Sequence, residues 1–379
     1  MPTFLLASDS LKGTLSSEQT AALLAKAARE HFPGCVTRSV PMADGGEGTA
    51  EALVAACGGE MVEAESVDAL GRPIRARYAL LPQGRAVIEA ASASGITLLG
   101  RSELDPLAAS SYGTGLLVAD ALDRGCRDVS IALGGSATND GGMGMARALG
   151  VRFLGADGAE LEGCGSDLGW VASIDATALA PRVAGATFHA MCDVDSPLTG
   201  PTGASLMFGP QKGASPAVAG RLEHGMGHYA MILDDLVGGR VSGRAGAGAA
   251  GGLGAACMAF LDADLSSGIA RVLELVGFDR LLEGVDVCFT GEGHLDSQTA
   301  RGKVVSGVAA ACGRRGVPCV AIVGGCDPEA RPPAGVSAVV PLAVGATTLE
   351  DLLADAERLY ALAAERAFAL LAAGAASRG

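Results

Sequence analysis

Residues 3–30 read TFLLASDSLKGTLSSEQTAALLAKAARE, and three local signals follow one another in that stretch. Thr3 to Ala7 is an apolar run as short as a buried strand. ASDSLKGT (7–14) is a polar loop containing glycine, and the alanine- and leucine-rich run to Glu30 has helical spacing. Ser16 or Ser17 stands where a hydroxyl accepts from the open N–H groups of a first helical turn, and Pro33 with Gly34 ends the helix. A strand that leads through a glycine loop into a helix is the unit of an α/β fold with a largely parallel sheet.

The unit recurs outward from there. Val36 to Val40 leads into MADGGEGT (42–49) and a helix from Thr49 to Cys57. Val129 to Leu133 leads into GGSATNDGG (134–142) and a helix around Met143 to Leu149. Val285 to Thr290 leads into TGEGHLDSQTARGK (290–303), a helix to Cys312, a strand from Val317 to Val323 and a closing helix from Leu349. Between Met61 and Ala91 the rhythm breaks into alternating segments separated by turn residues, as in antiparallel strands. The two ends of the chain are alike and the middle differs. The sequence therefore predicts a discontinuous domain, 1–60 with 280–379, and an inserted α/β domain, 61–279. Within the insert, Gly185 to Asp193 reads as a strand, Ala217 to Val237 as a long helix, and GRAGAGAAGGLGAA (243–256) as an ordered glycine loop entering a helix.

Composition narrows the function. Of 379 residues, 49% are hydrophobic and 18% charged, enough to bury a large core. Fifty-six glycines are about double the usual share and serve turns and backbone that approaches ligands. With 28 Lys and Arg against 42 Asp and Glu, the net charge of −14 repels nucleic-acid phosphates and anionic lipid head groups. The start MPTFLLASDSLKG reads poorly as a signal peptide, and no uninterrupted apolar run reaches bilayer length. A soluble, cytoplasmic protein is expected, its ten scattered cysteines reduced and mostly in the core.

The glycine loops carry the chemistry. In open α/β sheets ligands bind beyond the carboxyl ends of strands, where helix N-termini offer N–H groups to anions. Glycines let backbone approach phosphate oxygens, lysines neutralise them, and carboxylates hold the Mg2+ of phosphoryl transfer. Lys12 and Lys303 supply cations; Asp9, Asp44, Glu47, Asp140, Glu292 and Asp296 supply anions. There is no Walker A lysine motif and no protein-kinase signature. In MCDVDSPLTGPTGAS (191–205), Asp193 and Asp195 alternate at a strand end and so share a face; such a pair can activate a hydroxyl or bind a metal. FGPQKGAS (208–215) sets Gln211 and Lys212 between glycines, where Lys212 can meet a carboxylate or a phosphate.

Taken together and in this order, ASDSLKGTLSS, PMADGGEGT, ALGGSATNDGG, CDVDSPLTGPTGAS, FGPQKGAS, GAGAAGGLGAA and TGEGHLDSQTARGK closely resemble the bacterial glycerate kinases of the type I family. The likeness runs from the first strand to about Gly325. It implies an ATP-dependent kinase of D-glycerate, more often a 2-phosphoglycerate than a 3-phosphoglycerate producer. It also implies two domains, one flavodoxin-like with a parallel sheet and one restriction-enzyme-like, with the active site in the cleft between them. Residue type and loop position then assign Gly45, Gly46, Gly134, Gly135, Ser136, Gly291, Gly293, Lys12 and Lys303 to the nucleotide phosphates, Lys12 as a catalytic cation. Asp296, Glu292 and Asp44 are assigned to Mg2+, and Asp193 is the candidate base, with Asp9 next. Lys212, Gln211, Asp195 and Asn139 are assigned to the substrate. A non-kinase enzyme or a sensor of a small phosphorylated or carboxylate metabolite is the rival reading. A monomer or a homodimer is expected.

Overall fold

The computed structural model describes residues 1–11, 13–295, 303–327, 329–343, 345 and 348–377. The chain begins with β1 (Thr3–Ser8), α1 (Ser17–His31), β2 (Val36–Ser39) and α2 (Thr49–Cys57). Next come β3 (Glu60–Val67), β4 (Pro73–Leu81), β5 (Arg85–Glu89), α3 (Ala91–Ser94), α4 (Tyr112–Asp123), β6 (Asp128–Ala132) and α5 (Met143–Ala148). A small ribbon of β7 (Arg152–Leu154) and β8 (Ser173–Asp175) precedes α6 (Leu179–Val183), β9 (Thr187–Met191), α7 (Ala204–Phe208), α8 (Pro216–Val237), α9 (Leu253–Leu261) and β10 (Asp264–Ser266). The last part holds α10 (Gly268–Leu275), α11 (Phe278–Leu281), β11 (Val287–Leu295), α12 (Val304–Arg315), β12 (Cys319–Cys326), β13 (Val336–Pro341), α13 (Leu349–Ala354) and α14 (Ala356–Ala376).

Two compact units share these elements. The first comprises Met1–Asp44, Ala55–Cys57 and Gly268–Gly379; the second comprises Gly45–Val54 and Gly58–Ser267.

The first unit is built on a five-stranded sheet in the order β13-β12-β11-β1-β2, parallel throughout. Counted within the unit this is the 2-1-3-4-5 order of doubly wound, flavodoxin-like sheets, and its switch point lies between β1 and β11. Both faces are covered, so β1 and the first half of β11 are almost wholly buried and read as apolar runs, while Gly293 and His294 near the end of β11 are exposed. On one face α14 docks through Tyr360, Ala363, Ala364, Ala367 and Phe368, a helical stripe. Phe368 stacks on Phe289 at 4.5 Å and meets Phe4 edge-on at 5.1 Å. By length and composition α14 is apolar enough to cross a bilayer, yet this stripe is buried in the core of the unit. Ser16 caps α1 in a reciprocal box with Gln19. α10 joins the unit because Ile269 packs where a side chain on Gly307 of α12 would sit. The sequence reading contained no counterpart of β13: it is an edge strand of half-exposed residues closed by Pro341, and such a strand carries neither alternation nor a buried run.

The second unit has a six-stranded mixed sheet, β10-β9-β6-β5-β4-β3. β3, β4 and β5 pair antiparallel; β5, β6, β9 and β10 pair parallel. Its core gathers Tyr78, Leu117, Ile131, Met145, Phe153 and Phe260. The glycine run 243–256 is ordered: Ala250 and Gly251 take left-handed φ at a kink that leads directly into α9.

Candidate active site

In the first unit a cavity of about 750 Å³ opens at the carboxyl edge of the parallel sheet, the place where the switch point of such a sheet takes ligands. Asp9 and Ser10 enter it just after β1, Asp44 after β2, and Glu292, Gly293 and His294 from the end of β11. Lys303 also lines it and is the N-cap residue of α12; its own side chain makes no cap hydrogen bond. A helix start carries partial positive charge that favours anions. Asp9 accepts from the backbone N–H of Ser10 at 2.6 Å. Gly324, Gly325 and Cys326 of β12 complete the middle of the cavity, and Leu342, Ala343, Leu349, Leu352, Leu353 and Ala356 close one end. This last segment lies beyond the reach of the family-like motifs, and no sequence signal marked it.

Of the metal-site residues proposed from sequence, Asp44 and Glu292 share this cavity, while Asp296 lies outside the described residues. Lys12 also lies outside them. No group of three or more His, Cys, Asp or Glu side chains is arranged around a metal position among the described residues. Magnesium suits such a site, because it takes one or two protein carboxylates and keeps water and phosphate oxygens for the rest. Gly293 has open space where a side chain would stand, consistent with backbone that faces a ligand. Gly291 is different: a Cβ there would lie 2.3 Å from the Ile322 carbonyl oxygen, so strand packing demands glycine.

The second unit holds the other glycine loops. A Cβ on Gly134 would lie 3.7 Å from the Cα of Gly46, so GGSATNDGG and the GGEGT half of MADGGEGT touch. Gly45, Gly135 and Gly142 all have left-handed φ. At Gly142 a Cβ would also lie 2.3 Å from that of Ala256, so α9 excludes any side chain. Asp140 is fully buried and fully engaged. One carboxylate oxygen accepts from the backbone N–H and the hydroxyl of Ser111, both at 2.7 Å, and from Gly144 N–H at 3.1 Å. The other accepts from Gly142 N–H at 3.0 Å. Burial pushes this carboxyl above its ordinary range and the hydrogen bonds oppose the shift. Asp140 thus anchors the start of α5 to the start of α4.

Lys212 is buried beneath the same loop. Its ammonium donates to Ser136 Oγ at 3.1 Å and to the Thr138 carbonyl at 2.7 Å, and it is in no ion pair among the described residues. Burial pushes its pKa down to about 8, with the Asp140 charge acting against the shift. An ammonium has three donors, and two are used here. Asn139 is buried beside it; its Nδ2 donates to Ser205 Oγ at 3.0 Å and its Oδ1 has no partner. Among the described residues, a cation held by two neutral oxygens and an acceptor without a donor thus flank Thr138. Gln211 is exposed.

Asp193 and Asp195 are exposed and lie past the end of β9 at Met191. The strand-face argument that paired them therefore does not apply. Backbone hydrogen bonds to Ser242 and from Gly248 tie residues 196–198 to the glycine run, which ends the sheet pairing early. Sequence reasoning missed Glu89, which is 7% exposed at the end of β5. Its carboxylate accepts from Ala50 N–H at 2.9 Å in the first turn of α2 and holds that helix start in the second unit. An acid closing an apolar strand run was the available signal. Of the ten cysteines five are buried, and the remainder are partly or fully exposed.

A family model described as the glycerate kinase family matches residues 4–372. The chain belongs to that family. A glycerate kinase of Bacillus subtilis (strain 168) is 42% identical over 350 residues, covering 92% of both chains. A glycerate 2-kinase of Escherichia coli (strain K12) is 39% identical over 377 residues, covering 99% of both. A crystal structure of a protein from Salmonella typhimurium LT2, provisionally named glycerate kinase 2, matches with a TM-score of 0.89 at 40% identity, covering 98% of this chain and 99% of that one. The protein is a kinase enzyme with a mixed α/β fold.

Proposed function

We propose that the protein transfers the γ-phosphoryl group of ATP to a hydroxyl of D-glycerate in the cytoplasm, forming 2-phosphoglycerate in preference to 3-phosphoglycerate, with ADP as the other product. One observation carries the reading: Asp9, Asp44, Glu292 and Lys303 at the start of α12 converge on one cavity at the switch point of a parallel sheet. Phosphoryl transfer asks little covalent work of a protein, so placement and charge supply the catalysis. Support for the acceptor and the product comes from the E. coli relative named glycerate 2-kinase.

In this reading Asp44 and Glu292, with Asp296, hold Mg2+, which when bound to the triphosphate spreads the developing charge. Lys303, the first N–H groups of α12 and the open backbone at Gly293 receive phosphate oxygens, with Lys12 as a further cation. Asp9 positions groups at the end of β1, and the exposed Asp193 takes the proton of the substrate hydroxyl. Lys212 offers its remaining N–H to the substrate carboxylate, and Asn139 Oδ1 accepts from a substrate hydroxyl. Phosphorus NMR of a reaction containing D-glycerate, ATP and Mg2+ tests the whole proposal. The expected spectrum grows ADP and a secondary phosphate ester at C2; no ester, or ATP loss independent of glycerate, rejects it.

A further inference from the structure

We propose that the aliphatic end of the cavity in the first unit, built by Leu342, Ala343, Leu349, Leu352, Leu353 and Ala356, is the seat of the nucleotide base. The inference rests on the ATP-dependent reading above and adds the residues that would grip the ring. The cavity has two chemically unlike ends. Its acids come from the ends of β1, β2 and β11, whereas its aliphatic residues follow β13 at the sheet edge. β13 is three strand positions from β1, so at ordinary strand spacing the ends lie about 14 Å apart. Between them run Gly324 and Gly325 of β12, where a Cβ would collide with the Gly293 carbonyl oxygen at 2.4 Å and with the His294 ring at 2.7 Å. Strand packing thus fixes glycine at both positions, so β12 contributes no side chain there, with His294 and Cys326 beside them in the lining. A ligand that fills such a shape is polyanionic at one end, slender in the middle and apolar at the other. A nucleoside triphosphate has that build.

Exposure supplies the second argument. Leu349 is 70% and Leu353 49% exposed, one helical turn apart on α13, and both line the cavity. Neither belongs to a buried core cluster of this unit. Two leucines held at a cavity wall without core contacts gain burial when a flat ring covers them. The volume of about 750 Å³ is in the range of pockets that enclose ligands of this size.

The test uses the full-length Leu349→Ser/Leu353→Ser variant, whose changes fall on exposed positions. Expected is a rise of about tenfold in KM for ATP and an equal loss of ATP affinity by calorimetry, the effect of removing two leucine contacts. The KM for D-glycerate, kcat at saturating ATP and inhibition by inorganic tripolyphosphate stay at wild-type values, because the phosphate end is untouched. Unchanged ATP affinity in an active variant overturns this inference alone. A parallel loss of tripolyphosphate affinity also overturns it, since the leucines would then act on the phosphate end. A wild-type protein that neither binds nor consumes ATP overturns the kinase proposal and this inference together.

Discussion

The loops after β1 and β2, the end of β11 and the loop after β6 look alike as sequence, glycines and acids following an apolar strand, yet they differ as physical objects. In the first unit Asp9 and Asp44 are partly exposed around an open cavity, and Gly293 faces empty space. In the second unit Asp140 is sealed inside four hydrogen bonds and Gly142 is pressed against α9. The first arrangement leaves Asp9 and Asp44 lining an open cavity. The second consumes its acid in holding backbone, and the charge left over is the buried Lys212 ammonium. One motif type therefore borders a cavity in one place and holds backbone in the other: Asp9 and Asp44 are partly exposed, Glu292 is buried at the cavity wall, and Asp140 is sealed in its hydrogen bonds.

Exchanging the two aspartates gives the largest expected contrast. Asp140→Ala strands the Ser111 hydroxyl and three backbone N–H groups in the interior, so denaturant titration should show a loss of about 3 kcal/mol or more. Asp44→Asn should leave stability within about 0.5 kcal/mol and lower turnover about 100-fold. Equal loss of stability in both variants would erase the distinction.

Lys212 sharpens the comparison through pH. The unfolded chain binds this proton more tightly than the folded protein does, so stability should climb with pH from about 8 towards 10.5. Glycerate affinity should weaken over the same rise as the ammonium is lost. Lys212→Met should flatten the stability profile in this window and raise KM for glycerate at pH 7 about tenfold. A Met variant with wild-type KM would confine Lys212 to supporting the loop.

The smallest effect concerns Glu89. Burial raises its pKa, so the folded protein holds this proton more tightly than the unfolded chain. Its contribution is then greatest in acid and declines as pH rises from 4.5 through the folded value. Glu89→Gln keeps an acceptor for Ala50 N–H, and denaturation followed as pH rises from 4.5 should show that slope reduced and a change under about 1 kcal/mol.

Much of the fold was legible because its signals are local. The apolar run at Thr3, the Ser16 cap, the helix from Thr49 to Cys57 and the antiparallel stretch near Met61 each declare themselves within ten residues or so. The edge strand β13 lacked such a signal, and the reading of β9 ran on to Asp193 because nothing local marks where sheet pairing stops. The site was legible only as residue types. Glu89 escaped notice since its partner, Ala50, stands 39 positions away.

By itself, the order of residues determined the succession of strands, glycine loops and helices, and with it the family, because apolar period, caps and turn chemistry act over one or two turns of chain. Only the tertiary structure decided that Asp9, Asp44 and Glu292 line one cavity, that Leu349 and Leu353 close it, and that Asp140 and Lys212 are taken out of water. Exposure and charge pairing depend on segments remote along the chain that packing brings together, and no window of sequence contains them.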